Sequence, residues 1–171
     1  MRQGLLVLVA GPSGAGKDTV LDHARAHLAG REDMVFARRV VTRPPGPGEA
    51  HECVSEGEFT RRCFALSWSA HGLRYGIAQE IETDLAQGRT VIANVSRAVI
   101  GEARARYRCK VIEITAPANI LAKRLAARGR ESAADIAARL ARQAPPMAAD
   151  AVIVNDGAPE AAGALFLSLL G

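Results

Sequence analysis

The apolar run Gly4 to Ala10 (GLLVLVA) breaks abruptly into Gly11-Pro12-Ser13-Gly14-Ala15-Gly16-Lys17, and a helix-forming stretch from about Lys17 to Leu28 follows. This is the G-x-x-x-x-G-K pattern in the context its mechanism needs, between a strand buried on both faces and the start of a helix. Glycines let successive backbone N–H groups converge on phosphate oxygens. Lys17 adds a cation and the helix N-terminus a partial positive charge. The segment Gly11 to Lys17, with Asp18 and Thr19 after it, predicts a site for the phosphates of a nucleoside triphosphate, and it ties the chain to an α/β architecture.

The rest of the sequence keeps that rhythm. Strands are expected at Val35 to Thr42, Phe64 to Ser69, Thr90 to Val95, Lys110 to Thr115 and Ala151 to Val154. Helices are expected after Ser55 and Glu58, which form a capping box, over Ala78 to Gln87, from the end of the Thr90 strand to about Tyr107, and after Pro117. Two more should open at Ser132 with Asp135, stopped by Pro145 and Pro146, and span Pro159 to Leu170. Pro44, Pro45, Gly46, Pro47 and Gly48 forbid regular structure and predict an ordered loop. Alternation of this kind predicts a parallel sheet with helices on both faces, interrupted by an inserted module at about residues 35–77. At 171 residues one domain is expected.

Composition narrows the partners. Lysine and arginine number 22 against 18 acidic residues, a formal charge of +4, carried mostly by arginine, whose forked guanidinium suits phosphate. Aromatics are only 4% of the chain, and no stacking series or dense basic run is present, which argues against nucleic acid. No apolar run approaches the roughly 20 residues of a membrane helix, and Gly4 to Ala10 is too short for a secretory signal, so a cytoplasmic protein is expected. Cys53, Cys63 and Cys109 lack disulfide or zinc spacing. His23 and His27 are four apart on one helix, but no third ligand is near in sequence, and a solvated pair is the simpler reading.

Two positions depart from the usual magnesium arrangement. Asp18 stands where Ser or Thr normally follows the lysine, and the strand Thr90 to Val95 ends on Asn94 where an acidic residue is common. A carboxylate moved from the sheet edge to the loop accounts for both, with Asp18, or Thr19 beside it, as the Mg²⁺ ligand.

Four segments beyond the loop, TRPPGPGE (Thr42 to Glu49), RYG (Arg74 to Gly76), RLAARGRES (Arg124 to Ser132) and VIVND (Val152 to Asp156), resemble in order those of guanylate kinase-like enzymes. The resemblance implies a P-loop fold with an acceptor-binding module holding Arg39, Arg43 and Tyr75. It further implies a lid at about residues 128–143 with Arg128 and Arg139 over the phosphates, and Asn155 near adenine. The departures from that family are chemical. Guanine presents an N1–H and a 2-amino group, both donors, so it must be read by acceptors. The base-reading Glu falls on Leu66, and an acidic pair falls on Asn94 and Ser96, with Arg97 next. His51 and Glu52 replace a phosphate-holding Asp-Tyr segment, and Arg74 adds positive charge. This set, with GKDT and NVSRAV, is similar to the ribose 1,5-bisphosphate phosphokinases of bacterial phosphonate metabolism. That resemblance implies transfer of the ATP γ-phosphoryl group, with Mg²⁺, to a small phosphorylated sugar bound by Arg39, Arg43, His51, Glu52, Arg74, Tyr75, Ser96 and Arg97. Lys17, Arg128 and Arg139 would serve catalysis. Two other readings stand beside it: a nucleoside monophosphate kinase, which needs base-reading acceptors, and a guanylate kinase-like interaction module without turnover, which needs no intact phosphate loop.

Overall fold

The computed structural model describes residues 3–44, 51–129, 132 and 147–171. Nine strands and six α-helices are found among them. Five strands form a parallel sheet in the order β2 (Met34–Phe36), β7 (Thr90–Asn94), β1 (Leu5–Ala10), β8 (Cys109–Thr115), β9 (Ala151–Val154), and four form a second sheet in the order β4 (Glu52–Cys53), β3 (Arg39–Val41), β6 (Leu73–Ala78), β5 (Phe64–Ala70). No helix among the described residues is long and apolar enough to cross a membrane. The chain divides into two compact units, Met1–Val9 with Gly30–Lys110 and Ala10–Ala29 with Val111–Gly171.

In the first unit, β1 (Leu5–Ala10) pairs in parallel with β7 (Thr90–Asn94), Leu5 opposite Thr90 through Val9 opposite Asn94. β2 (Met34–Phe36) lies on the other side of β7. Leu6, Val7, Leu8 and Val9 have no exposed surface at all, as the unbroken apolar run predicts for a strand covered on both faces. The single strand expected over Val35 to Thr42 is two. The Ala37 N–H still bonds Ile92 O, but β3 (Arg39–Val41) belongs to the other sheet, beside β4 (Glu52–Cys53) and β6 (Leu73–Ala78). β5 (Phe64–Ala70) and β6 form a hairpin turned by His71 and Gly72, both in the left-handed region at φ 54 and 74, the geometry of a two-residue type I′ connection. The capping box forms as expected, Ser55 Oγ accepting from the Glu58 N–H at 3.1 Å to open α2 (Glu56–Arg61). α3 (Ile81–Ala86), a 3₁₀ turn at Arg97–Val99 and α4 (Ile100–Arg106) complete this unit.

In the second unit, β8 (Cys109–Thr115) pairs in parallel with β9 (Ala151–Val154). α1 (Lys17–His27) packs on α6 (Pro159–Leu170). Gly163 makes that packing possible: a Cβ there would stand 2.3 Å from the His23 ring. His23 is therefore a packing residue, its ring tilted by 32° against that of His27 at 4.4 Å, and no cluster of three metal-ligating residues exists among the described residues. α5 (Ala118–Ala127) starts after Pro117. The helix expected from Ser132 to Pro145, the Pro-Gly loop beyond Pro44, Arg139 and nearly all of the expected lid lie outside the described residues.

Candidate active site

The strand-to-helix loop has the geometry its glycines require. Gly11, Gly14 and Gly16 have φ of 150, 86 and 85, values that side-chain-bearing residues rarely adopt. Gly11 also needs its missing side chain, since a Cβ would stand 1.9 Å from Ile114 O. The Ala15 N–H closes a turn onto Pro12 O at 3.3 Å, and Gly16 caps α1. Lys17 Nζ donates to Gly11 O at 2.7 Å and Pro12 O at 3.1 Å, so the ammonium rests on carbonyls of its own loop. Asp18 and Thr19 are exposed on the first turn of α1. A carboxylate and a hydroxyl at that place are hard oxygen donors, which fits Mg²⁺, an ion that keeps most of its coordination for water and phosphate.

Behind the loop stands a bracket of two side chains. Asn155, 4% exposed, donates from Nδ2 to Ala15 O at 2.8 Å. Arg124 donates from Nη1 to Gly14 O at 3.1 Å and from Nη2 to Asn155 O at 2.8 Å. Arg124 was not singled out by sequence reasoning, which gave the RLAAR segment's role to Arg128. Arg128 is exposed at the C-terminal end of α5.

Alternation along the strands of the second sheet sorts the expected acceptor residues onto two faces. On one face, Trp68 lies opposite Tyr75, their rings stacked at 5.6 Å and 7°. Arg39 holds its guanidinium 5.5 Å from the Tyr75 ring centroid and places Nη2 3.1 Å from His51 Nε2. A guanidinium can only donate, so in this contact the ring nitrogen is the acceptor. Arg38 holds the His51 carbonyl at 3.1 Å. On the other face, Arg74 lies over Phe59 at 4.4 Å and donates to Thr60 Oγ1 at 3.1 Å and Glu56 Oε2 at 3.4 Å. Glu52 pairs with Arg62 at 2.7 Å. That face is built over Gly76, where a Cβ would stand 2.4 Å from the Phe64 ring. The structure thus brings Arg39, His51 and Tyr75 together and holds Arg74 and Glu52 apart from them.

Thr42, 8% exposed, bonds the Arg74 backbone in both directions, at 3.0 and 2.9 Å, and so fixes the chain that leads into the half-buried Arg43. Ser96 Oγ accepts from the Ala98 N–H at 3.2 Å, capping the turn that begins with Arg97. Leu66, where a base-reading carboxylate is expected in guanylate kinases, is 1% exposed.

No protein-family model matches the chain. It is 62% identical over 169 residues, 99% of this chain and 93% of the relative, to a protein of Acidiphilium cryptum named ribose 1,5-bisphosphate phosphokinase PhnN. A protein of Methylobacterium radiotolerans with the same name is 49% identical over 98% of this chain and 97% of its own. The chain belongs to the ribose 1,5-bisphosphate phosphokinase family. The matched span in this phosphokinase family takes in the phosphate loop, its bracket and the whole second sheet. Among solved structures, the guanylate kinase of Anaplasma phagocytophilum superposes with a TM-score of 0.69 at 22% identity, covering 99% of this chain and 86% of that one. The fold is that of a P-loop, guanylate kinase-like α/β protein.

Proposed function

We propose that this chain is a ribose 1,5-bisphosphate phosphokinase: it transfers the γ-phosphoryl group of ATP to the 1-phosphate of ribose 1,5-bisphosphate, giving 5-phospho-α-D-ribose 1-diphosphate and ADP, in the cytoplasm during phosphonate degradation. The observation that carries this reading is near-full-length identity of 62% to a protein of that name, in a chain whose Gly11 to Lys17 loop is intact.

The nucleophile is a phosphate oxygen. Its second pKa lies near about 6, so it is ionised at neutral pH and needs no general base. Catalysis is then positioning and charge neutralisation. Lys17 exchanges the Gly11 and Pro12 carbonyls, which hold it at 2.7 and 3.1 Å, for phosphate oxygens of ATP, a stronger, charge-assisted contact. Asp18 and Thr19 would hold Mg²⁺, which would supply positive charge against the triphosphate. Arg128 and Arg139 serve as lid cations over the phosphates. For the acceptor, we take Arg39, His51 and Tyr75 as the core of the site, and add Arg43 and Arg97 as further cations for its phosphates. Residues 35–77 form the acceptor module of a single functional domain. Arg74, Glu52 and Ser96 hold the module's own structure through Glu56, Arg62 and the Ala98 N–H. The buried Leu66 supports a site without a guanine reader.

A coupled ADP-release assay with ribose 1,5-bisphosphate and GMP offered separately tests the reading. Turnover with the bisphosphate and none above background with GMP is expected. Preference for GMP would make the chain a nucleoside monophosphate kinase, and failure to bind ATP would leave an interaction module.

A further inference from the structure

We propose that Arg124 and Asn155 are positioning residues for the triphosphate, turning the peptide planes of the phosphate loop so that its N–H groups face the phosphates. The inference rests on the ATP-binding reading above and assigns these two side chains work that neither the family's name nor the motif specifies.

The peptide unit is planar. In a trans peptide the C=O and the following N–H point in opposite directions, so whatever anchors the carbonyl aims the amide. Asn155 Nδ2 anchors Ala15 O at 2.8 Å, which directs the Gly16 N–H to the opposite side of the loop. Arg124 Nη1 anchors Gly14 O at 3.1 Å, which does the same for the Ala15 N–H, held among the described residues by the long 3.3 Å turn bond to Pro12 O. The two anchors are themselves joined, because Arg124 Nη2 donates to Asn155 O at 2.8 Å. The Asn155 backbone N–H in turn bonds Thr115 O at 2.7 Å. One guanidinium fork thereby ties the loop to α5 and to the end of β9, and a rigid cradle results where loop glycines alone would leave a soft one.

Two further observations separate this bracket from ordinary packing. A Cβ on Gly16 would stand 2.5 Å from Asn155 Nδ2 and 4.0 Å from Arg124 Nη1, so the amide occupies space that only a glycine in the left-handed region leaves open. Asn155 Oδ1 is buried and has no hydrogen-bond partner among the described residues. Leaving an acceptor unsatisfied is costly, and it is tolerated here because the other end of the amide is needed against Ala15. With Nδ2 committed to the loop, the site recognises polyphosphate through the loop's backbone, and the contribution of these two residues is independent of the base.

The test uses inorganic tripolyphosphate as a base-free probe beside ATP, both titrated by calorimetry into the full chain with Mg²⁺ present, and a melting curve for each variant. Arg124→Ala is expected to weaken ATP and tripolyphosphate by the same factor, about tenfold or more, with Arg124→Lys recovering part of it because a cation again reaches Gly14 O. Asn155→Asp, nearly isosteric but unable to donate to Ala15 O, should weaken both ligands alike. In turnover these variants should raise KM for ATP while leaving KM for the sugar acceptor unchanged, a split that general loosening of the fold would not produce. Loss of ATP affinity with tripolyphosphate affinity intact would overturn the inference and make Arg124 and Asn155 base contacts. Unchanged affinity for both would also overturn it. If the unaltered chain bound neither ligand, the ATP-binding reading itself would fall and take this one with it.

Discussion

Replacing Gly11 with alanine should damage the protein far more than its single added methyl suggests. The new Cβ would stand 1.9 Å from Ile114 O and 3.0 Å from Ile114 C, roughly 1.5 Å short of ordinary contact for the oxygen. Neither partner can step aside: Ile114 has no exposed surface, and its strand is paired with β9 through Ile153. Overpacking against main chain costs about 1–3 kcal/mol, and a side chain at φ 150 adds about 1–2 kcal/mol. At about 2–4 °C per kcal/mol for a chain of this size, Gly11→Ala should melt roughly 4–20 °C lower. Gly30→Ala is the control. It too has a positive φ, 86, but nothing lies within 4 Å of its Cβ position, so only the backbone cost of about 1–2 kcal/mol applies. Because Gly11 O also holds Lys17 Nζ, Gly11→Ala should in addition weaken ATP binding. Thermal melts and ATP titration of the two variants side by side decide the matter. A Gly11→Ala protein that melts no lower than Gly30→Ala and binds ATP normally would refute the reasoning.

Other expectations follow from the same geometry. Lys17→Ala should melt normally and lose about a hundredfold or more in turnover, because a preorganised cation on the transferring group stabilises its transition state; steady-state kinetics with a melting control checks this. Asp18→Asn should raise the Mg²⁺ concentration for half-maximal rate and tighten ATP binding in the absence of metal, since it removes both a hard ligand and a negative charge beside the triphosphate. Titrating ATP with and without Mg²⁺ separates the two effects, and unaltered metal dependence would leave Asp18 as a helix-end charge. Arg39→Ala should raise KM for the sugar bisphosphate by about tenfold or more. Arg74→Ala should leave that KM within about twofold and cost about 1 kcal/mol of stability, from the Phe59 and Glu56 contacts it loses.

What the sequence could disclose follows from where each signal lives. The phosphate loop is a local device, its residues contiguous and its flanks self-evident, and β9 and α6 begin and end where β-branched runs, Pro159 and Gly171 place them. The β5–β6 hairpin hid because Gly76 reads as a strand breaker, whereas its lack of a Cβ is what lets the Phe64 ring lie on the strand. The His71-Gly72 turn was the available clue. Likewise, the Val35 to Thr42 run carries uniform strand character through a point where the chain changes sheets, a tertiary event with no local mark. The resemblance of the RYG segment assigns Arg74 and Tyr75 to one acceptor site, yet neighbours along a strand face opposite ways. Arg124 opens the RLAAR segment whose phosphate role the resemblance gives to Arg128, and only the carbonyls of Gly14 and Asn155 distinguish it.

The central claim is the identity of the acceptor, and phosphorus NMR of the reaction mixture addresses it without any coupling enzyme. With ATP, Mg²⁺ and ribose 1,5-bisphosphate, the account predicts that the signal of the sugar 1-phosphate is replaced by a pair of mutually coupled diphosphate signals while the 5-phosphate signal persists and ATP becomes ADP in equal amount. ATP consumed only to inorganic phosphate with the bisphosphate untouched, or a diphosphate formed on GMP when GMP is added in equal amount, would contradict it.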